Sequence, residues 1–101
     1  MDRAVLDEHL ATLAGIREQV TGGRTTWRVQ GRLVARLEDD ETLLLRSQPA
    51  DRERLVRDQP DVFYVTPAIE SHHKVLVHLP AADADDVRRA LGAAWELQHR
   101  G

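Results

Sequence analysis

Residues 25–38 read Thr-Thr-Trp-Arg-Val-Gln-Gly-Arg-Leu-Val-Ala-Arg-Leu-Glu, and the glycine in the middle restricts the fold more than any other feature of the chain. Arginines recur every fourth residue at Arg28, Arg32 and Arg36, with Arg24 just before. A step of four keeps side chains on one face of a helix, and equally on one face of a strand. Trp27, Val29, Val34 and the threonines favour a pleated surface, and Gly31 in mid-segment argues against a helix. The segment therefore reads as two strands around Gln30-Gly31. A two-residue turn there pairs Val29 with Arg32 on the same side and sets Arg28 opposite Arg32 and Arg36. Only a three-residue loop or a bulge reconciles that geometry with the apolar pattern. The bulge is favoured, because the alternative buries at least two arginines.

The flanking segments supply the other elements. Residues 2–14 carry Leu6, Leu10 and Leu13 at helical spacing, with Val5 alongside, Asp2 as N-cap and Gly15 as the stop. Thr21-Gly22-Gly23 reads as a loop, Glu38-Asp39-Asp40-Glu41 as an acidic turn, and residues 42–46 as a third short strand. Pro49 suits the first turn of a second helix, which ends at Gln59 because Pro60 follows. Phe63, Tyr64 and Val65 make a short extended segment. Residues 74–79 alternate, with Val75, Val77 and Leu79 on one side and Lys74, Leu76 and His78 on the other. Asp83 caps a last helix whose apolar stripe is Val87, Leu91, Ala94 and Trp95, with His99 and Arg100 at its negative end. The order α-β-β-β-α-β-(β)-α predicts an α+β two-layer sandwich, a mainly antiparallel sheet with helices on one face.

Length and composition bound what such a fold can do. The 101 residues suit one domain, 1–101, with a single two-layer core. A net charge of −3 removes the crude electrostatic argument for a general nucleic-acid or membrane binder, so such an activity needs a local patch. The absence of cysteine excludes disulfides, thiol catalysis and cysteine-ligated metals. No apolar run reaches a membrane span of about 18 residues and the first residues lack a signal peptide's apolar core, so the expected location is cytoplasmic.

The segments 13–16 (Leu-Ala-Gly-Ile), 27–37 (Trp-Arg-Val-Gln-Gly-Arg-Leu-Val-Ala-Arg-Leu), 58–67 (Asp-Gln-Pro-Asp-Val-Phe-Tyr-Val-Thr-Pro), 75–77 (Val-Leu-Val) and Ala94-Trp95 follow one another in an order and spacing of their own. In them the chain resembles the MmcQ/YjbR family of small bacterial proteins. The resemblance implies a fold like that of the type III secretion chaperones, and members are commonly labelled DNA-binding. It implies no catalytic residues. The chain departs from the family after Pro67, where aromatic and glycine-containing residues give way to Ala68-Ile69-Glu70-Ser71-His72-His73.

The strongest candidate site is the sheet face turned away from the helices. With Trp27, Val29, Leu33, Ala35, Leu37, Leu43, Leu45, Val75 and Val77 as core, the other face carries Arg28, Arg32, Val34, Arg36, Leu44, Arg46, Lys74, Leu76 and His78. Its five fixed cations, Arg28, Arg32, Arg36, Arg46 and Lys74, are the expected nucleic-acid contacts, with DNA as partner. That face has no aromatic side chain for base stacking, and the acidic turn lies at one end of it. The alternative is a protein- or small-ligand-binding module, including a homodimer through the same face, with Val34, Leu44 and Leu76 as interface and the arginines as rim.

No catalytic constellation is expected. His72-His73 are adjacent residues that point to opposite faces of an extended segment, which reads as surface and not as a metal site. Asp39-Asp40 and Asp85-Asp86 are explained by a turn and a helix N-terminus, and Ser47 and Ser71 lack a nucleophile elbow. The expectation is a non-enzymatic protein without cofactor or metal.

Overall fold

A computed structural model describes residues 1–99, so Arg100 lies outside the described residues. Helix α1 runs Arg3–Thr12, and the Asp2 carboxylate accepts from the Val5 N–H at 2.9 Å as its N-cap. Gly15 then reverses the chain at φ +74, so close to the sheet that a Cβ there would lie 3.4 Å from Val29 Cγ2. Four strands follow in succession: β1 Ile16–Thr21, β2 Arg24–Val29, β3 Arg32–Leu37 and β4 Thr42–Arg46. Helix α2 (Pro49–Asp58) leads to β5 (Phe63–Tyr64) and β6 (Lys74–His78), and α3 (Ala84–His99) closes the fold. Asp83 caps α3 as expected, its carboxylate taking the N–H groups of Asp85 and Asp86.

The six strands form one antiparallel sheet in the order β1-β2-β3-β4-β6-β5. The α+β architecture stands as expected, with one strand more before α2. β1 escapes a reading of the sequence because it is an edge strand in which only Ile16 is half-buried. Its backbone pairing with β2 holds it in place, and an apolar stripe is not needed. The Thr21-Gly22-Gly23 segment is accordingly the β1–β2 hairpin turn, with Gly22 and Gly23 both at positive φ.

The second hairpin answers the conflict over its arginines. Gln30 (φ 52) and Gly31 (φ 76) form a two-residue turn with the left-handed geometry that type I′ requires. Val29 therefore pairs with Arg32 and Arg28 with Leu33, but Trp27 pairs with Ala35 and Thr26 with Arg36. Val34 is the extra residue, so the expected bulge is present, inside β3. It returns Ala35 and Leu37 to the side of Trp27 and Val29, and Arg36 to the other.

All three helices pack on that first side. The core joins Leu6 and Leu10 of α1 and Val87, Leu91 and Ala94 of α3 to Trp27, Val29, Ala35, Leu43, Leu45, Phe63, Val75 and Val77, with Leu55 and Val56 of α2 against it. Val34 occupies the core place expected of Leu33, which is only half-buried; the bulge causes the exchange. Trp27 Nε1 donates to Glu18 Oε1 at 3.1 Å, and Arg3 lies 5.6 Å from its ring centroid. Trp95 sits at the margin of the core, its Nε1 donating to the Ala14 carbonyl at 2.7 Å.

One titratable group is caught in the α1–α3 contact. His9 Nε2 is buried without a hydrogen-bond partner among the described residues. Burial, and then the Arg88 guanidinium, push the His9 pKa below the ordinary histidine value of about 6.5. The unfolded chain then binds this proton more tightly than the folded one. The His9 contribution is complete above about pH 6.5 and falls as the pH drops through and below it. Thermal melts of wild type and His9→Gln should show the wild type losing more stability between pH 7.5 and 5.5. Parallel losses would refute the assignment.

Candidate functional site: the arginine face of the sheet

Cross-strand register defines the face opposite the helices. One row runs across all six strands through Gln19, Thr26, Arg36, Leu44, Leu76 and Tyr64. Two residues along the strands to one side lie Arg24, Glu38, Thr42 and His78. To the other side lie Arg17, Arg28, Arg46 and Lys74. The cations on this face are thus Arg17, Arg24, Arg28, Arg36, Arg46 and Lys74, and no strand residue on it is acidic.

Of the expected site residues, Arg28, Arg36, Arg46 and Lys74 share this face and Arg32 does not. As the partner of Val29, Arg32 projects on the helix side, where Nη1 donates to the Gln98 carbonyl at 3.1 Å near the end of α3. A cation is favoured at a helix C-terminus. Arg17 and Arg24 take its place. Arg24 already stood in the four-residue series, whereas Arg17 becomes visible only once β1 is known to pair with β2. The expectation that the face lacks an aromatic is also corrected, because pairing with Leu76 puts Tyr64 on it.

The arginines are held in different ways. Glu38, just beyond β3, pairs with Arg36 at 2.8 Å and with Arg24 at 3.1 Å. Arg46 Nη1 donates to the His73 carbonyl at 3.0 Å. The Nε atoms of Arg36 and Arg46 are buried without a partner among the described residues, which shows that these two side chains lie down on the sheet. Stems laid flat in this way cover apolar surface while their charged ends stay wet. That accounts for Leu44 at 0% and Leu76 at 7% exposure on a side without helices. Arg28 and Arg17 have no carboxylate within ion-pairing distance among the described residues.

The acidic turn is confined to one end. Asp39 accepts from the Glu41 N–H at 2.8 Å, and this bond, followed by the Thr42 hydroxyl, holds its carboxyl below the usual carboxylate range. From the Thr42 row to the Arg46 row is four residues, or about 13 Å. That exceeds the screening length of about 8 Å at physiological salt, so the turn scarcely dims the Arg17–Arg28 end.

The other expected features fall elsewhere. Asp85 and Asp86 lie in the first turn of α3 and pair with Arg88 and Arg89. His72 and His73 are exposed in the loop before β6. The divergent segment after Pro67 is organised by Arg52 of α2, whose guanidinium donates to the carbonyls of Ile69, Glu70, His72 and Lys74. Among the described residues no helix is long and apolar enough to cross a membrane.

The model of the YjbR family matches residues 11–97, which takes in every strand and nearly all of α3. The chain belongs to the YjbR family. A crystal structure of the Deinococcus radiodurans protein DR2400, described with the domain DUF419, superposes on this YjbR-family chain with a TM-score of 0.81. The match covers 94% of this chain and 76% of that one, at 19% sequence identity, and so speaks for the fold. No curated protein sequence matches this chain.

Proposed function

We propose that this YjbR-family chain is a non-enzymatic DNA-binding domain that holds the phosphate backbone on the arginine face of its sheet. The observation that carries the reading is the segregation of charge. In a chain of net charge −3, six cations gather on one sheet face against the single carboxylate of Glu38. Guanidinium forks match phosphate oxygens in pairs, and the affinity they give is independent of base sequence. Tyr64 and His78 add flat side chains to the same surface. The reading of this face as a self-associating apolar patch has little to rest on, because Val34 lies in the core on the helix side and Leu44 and Leu76 are buried beneath the arginines.

Fluorescence anisotropy of a labelled duplex tests the proposal. Binding in the range of about 1–100 μM is expected, weakening with salt by about 0.9 log units per log unit of salt for each phosphate neutralised. Absence of a complex at low salt and tens of micromolar protein would overturn it.

A further inference from the structure

Arg17 and Arg28 stand directly opposite each other on β1 and β2. Residues so placed have Cβ atoms about 4.5–5.5 Å apart, and like charges there destabilise a sheet. Elsewhere on this face the arginines are compensated: Glu38 serves Arg24 and Arg36, and a backbone carbonyl serves Arg46. Among the described residues no carboxylate serves this pair. Glu18 is next in sequence to Arg17, but it projects to the other side and binds Trp27 Nε1. The hydrogen bond from Arg28 Nη1 to the Gly31 carbonyl is long, at 3.5 Å.

The pair also borders real space. Arg17, Glu18, Gln19, Arg28 and Gly31 line a depression of about 500 Å³. Arg28 and Gln19 also border an adjoining one of about 460 Å³, to which Arg24, Thr26 and Arg36 contribute. Two paired arginines that border the same open volume, with almost all of their donors unspent among the described residues, have the chemistry to hold a tetrahedral oxyanion.

We infer that Arg17 and Arg28 form a clamp for a single phosphate group, the anchor point of the arginine face. The inference rests on the DNA-binding reading and narrows it to one site. The ligand chemistry is a phosphoryl oxygen cluster, whether from a nucleic-acid phosphodiester or from a free phosphate compound. An anion between the two guanidiniums removes their mutual repulsion, so the clamp is stabilised by its ligand.

The full chain is melted in inorganic pyrophosphate and in sodium chloride of matched ionic strength. For a Kd of about 1 mM, about 10 mM pyrophosphate should raise the melting temperature by about 6–11 °C over the chloride control. Arg17→Gln and Arg28→Gln should each abolish the rise, and Arg57→Gln, an exposed position on α2 away from this face, should keep it. In wild-type protein the Nε–Hε resonances of Arg17 and Arg28 should move most on titration, a readout independent of any variant. No rise in wild type, or a rise undiminished in both clamp variants, would overturn the inference. A duplex titration of the same samples separates the two readings. DNA binding without a pyrophosphate response removes the clamp alone. A pyrophosphate response without DNA binding keeps the clamp and assigns it to a free phosphate compound.

Discussion

Trp27→Ala should lower the unfolding free energy by about 3–5 kcal/mol, the cost of removing a large aromatic side chain from a closed core. Trp27 is 2% exposed and sits in β2, in the layer where α3 crosses the sheet. The substitution also leaves Glu18 without its indole donor and Arg3 without its ring. Domains of this size are stable by about 5–15 kcal/mol in total, so the loss is a large share of the whole. At about 4–8 °C per kcal/mol, the melting temperature should fall by well over 10 °C. Urea unfolding followed by far-ultraviolet dichroism measures the change. A loss below about 1 kcal/mol would mean that Trp27 is not packed as described.

The second large effect concerns binding. The neutral triple change Arg17→Gln, Arg24→Gln and Arg28→Gln removes three of the six cations and spares those laid on the sheet. Arg36 and Arg46 are left alone because their stems cover Leu44 and its neighbours, and because Arg36 pairs with Glu38. Three fewer phosphate contacts should flatten the log–log salt slope by up to about 2.7 and weaken duplex binding at about 0.1 M salt by two to three decades. The one ion pair lost, Arg24–Glu38, is a surface pair of which Arg24 is half exposed, and such pairs contribute at most about 1 kcal/mol. The melting temperature should therefore fall by no more than about 8 °C. An unchanged salt slope would remove these arginines from the interface. A collapse in stability together with binding would show that they serve the fold instead.

Much of the fold could be read from particular residues. The apolar stripes of α1 and α3 repeat at helical spacing, Asp2 and Asp83 cap where caps were expected, and Pro49 and Pro60 bracket α2. β1 could not be read, because an edge strand exposed on both sides has no reason to alternate. Its omission hid Arg17 and turned a hairpin turn into a loop. The candidate face was legible in part. Arg46 and Lys74 follow from alternation alone, but the grouping of Arg28 with Arg36 and the exclusion of Arg32 depend on the turn and the bulge, where alternation is interrupted.

The amino-acid sequence by itself determined the class of fold, the place of the core and the two-strand reading of residues 25–38, because periodicity and Gly31 are local properties. Which arginines share a surface was decided by tertiary structure. A single extra residue at Val34 reverses the side on which everything after it projects, and its position depends on how β2 and β3 pair over the helices. The same holds for Arg17, whose meaning comes from the residue across from it and not from its neighbours in the chain. Register is a relation between strands, and one strand's pattern does not contain it.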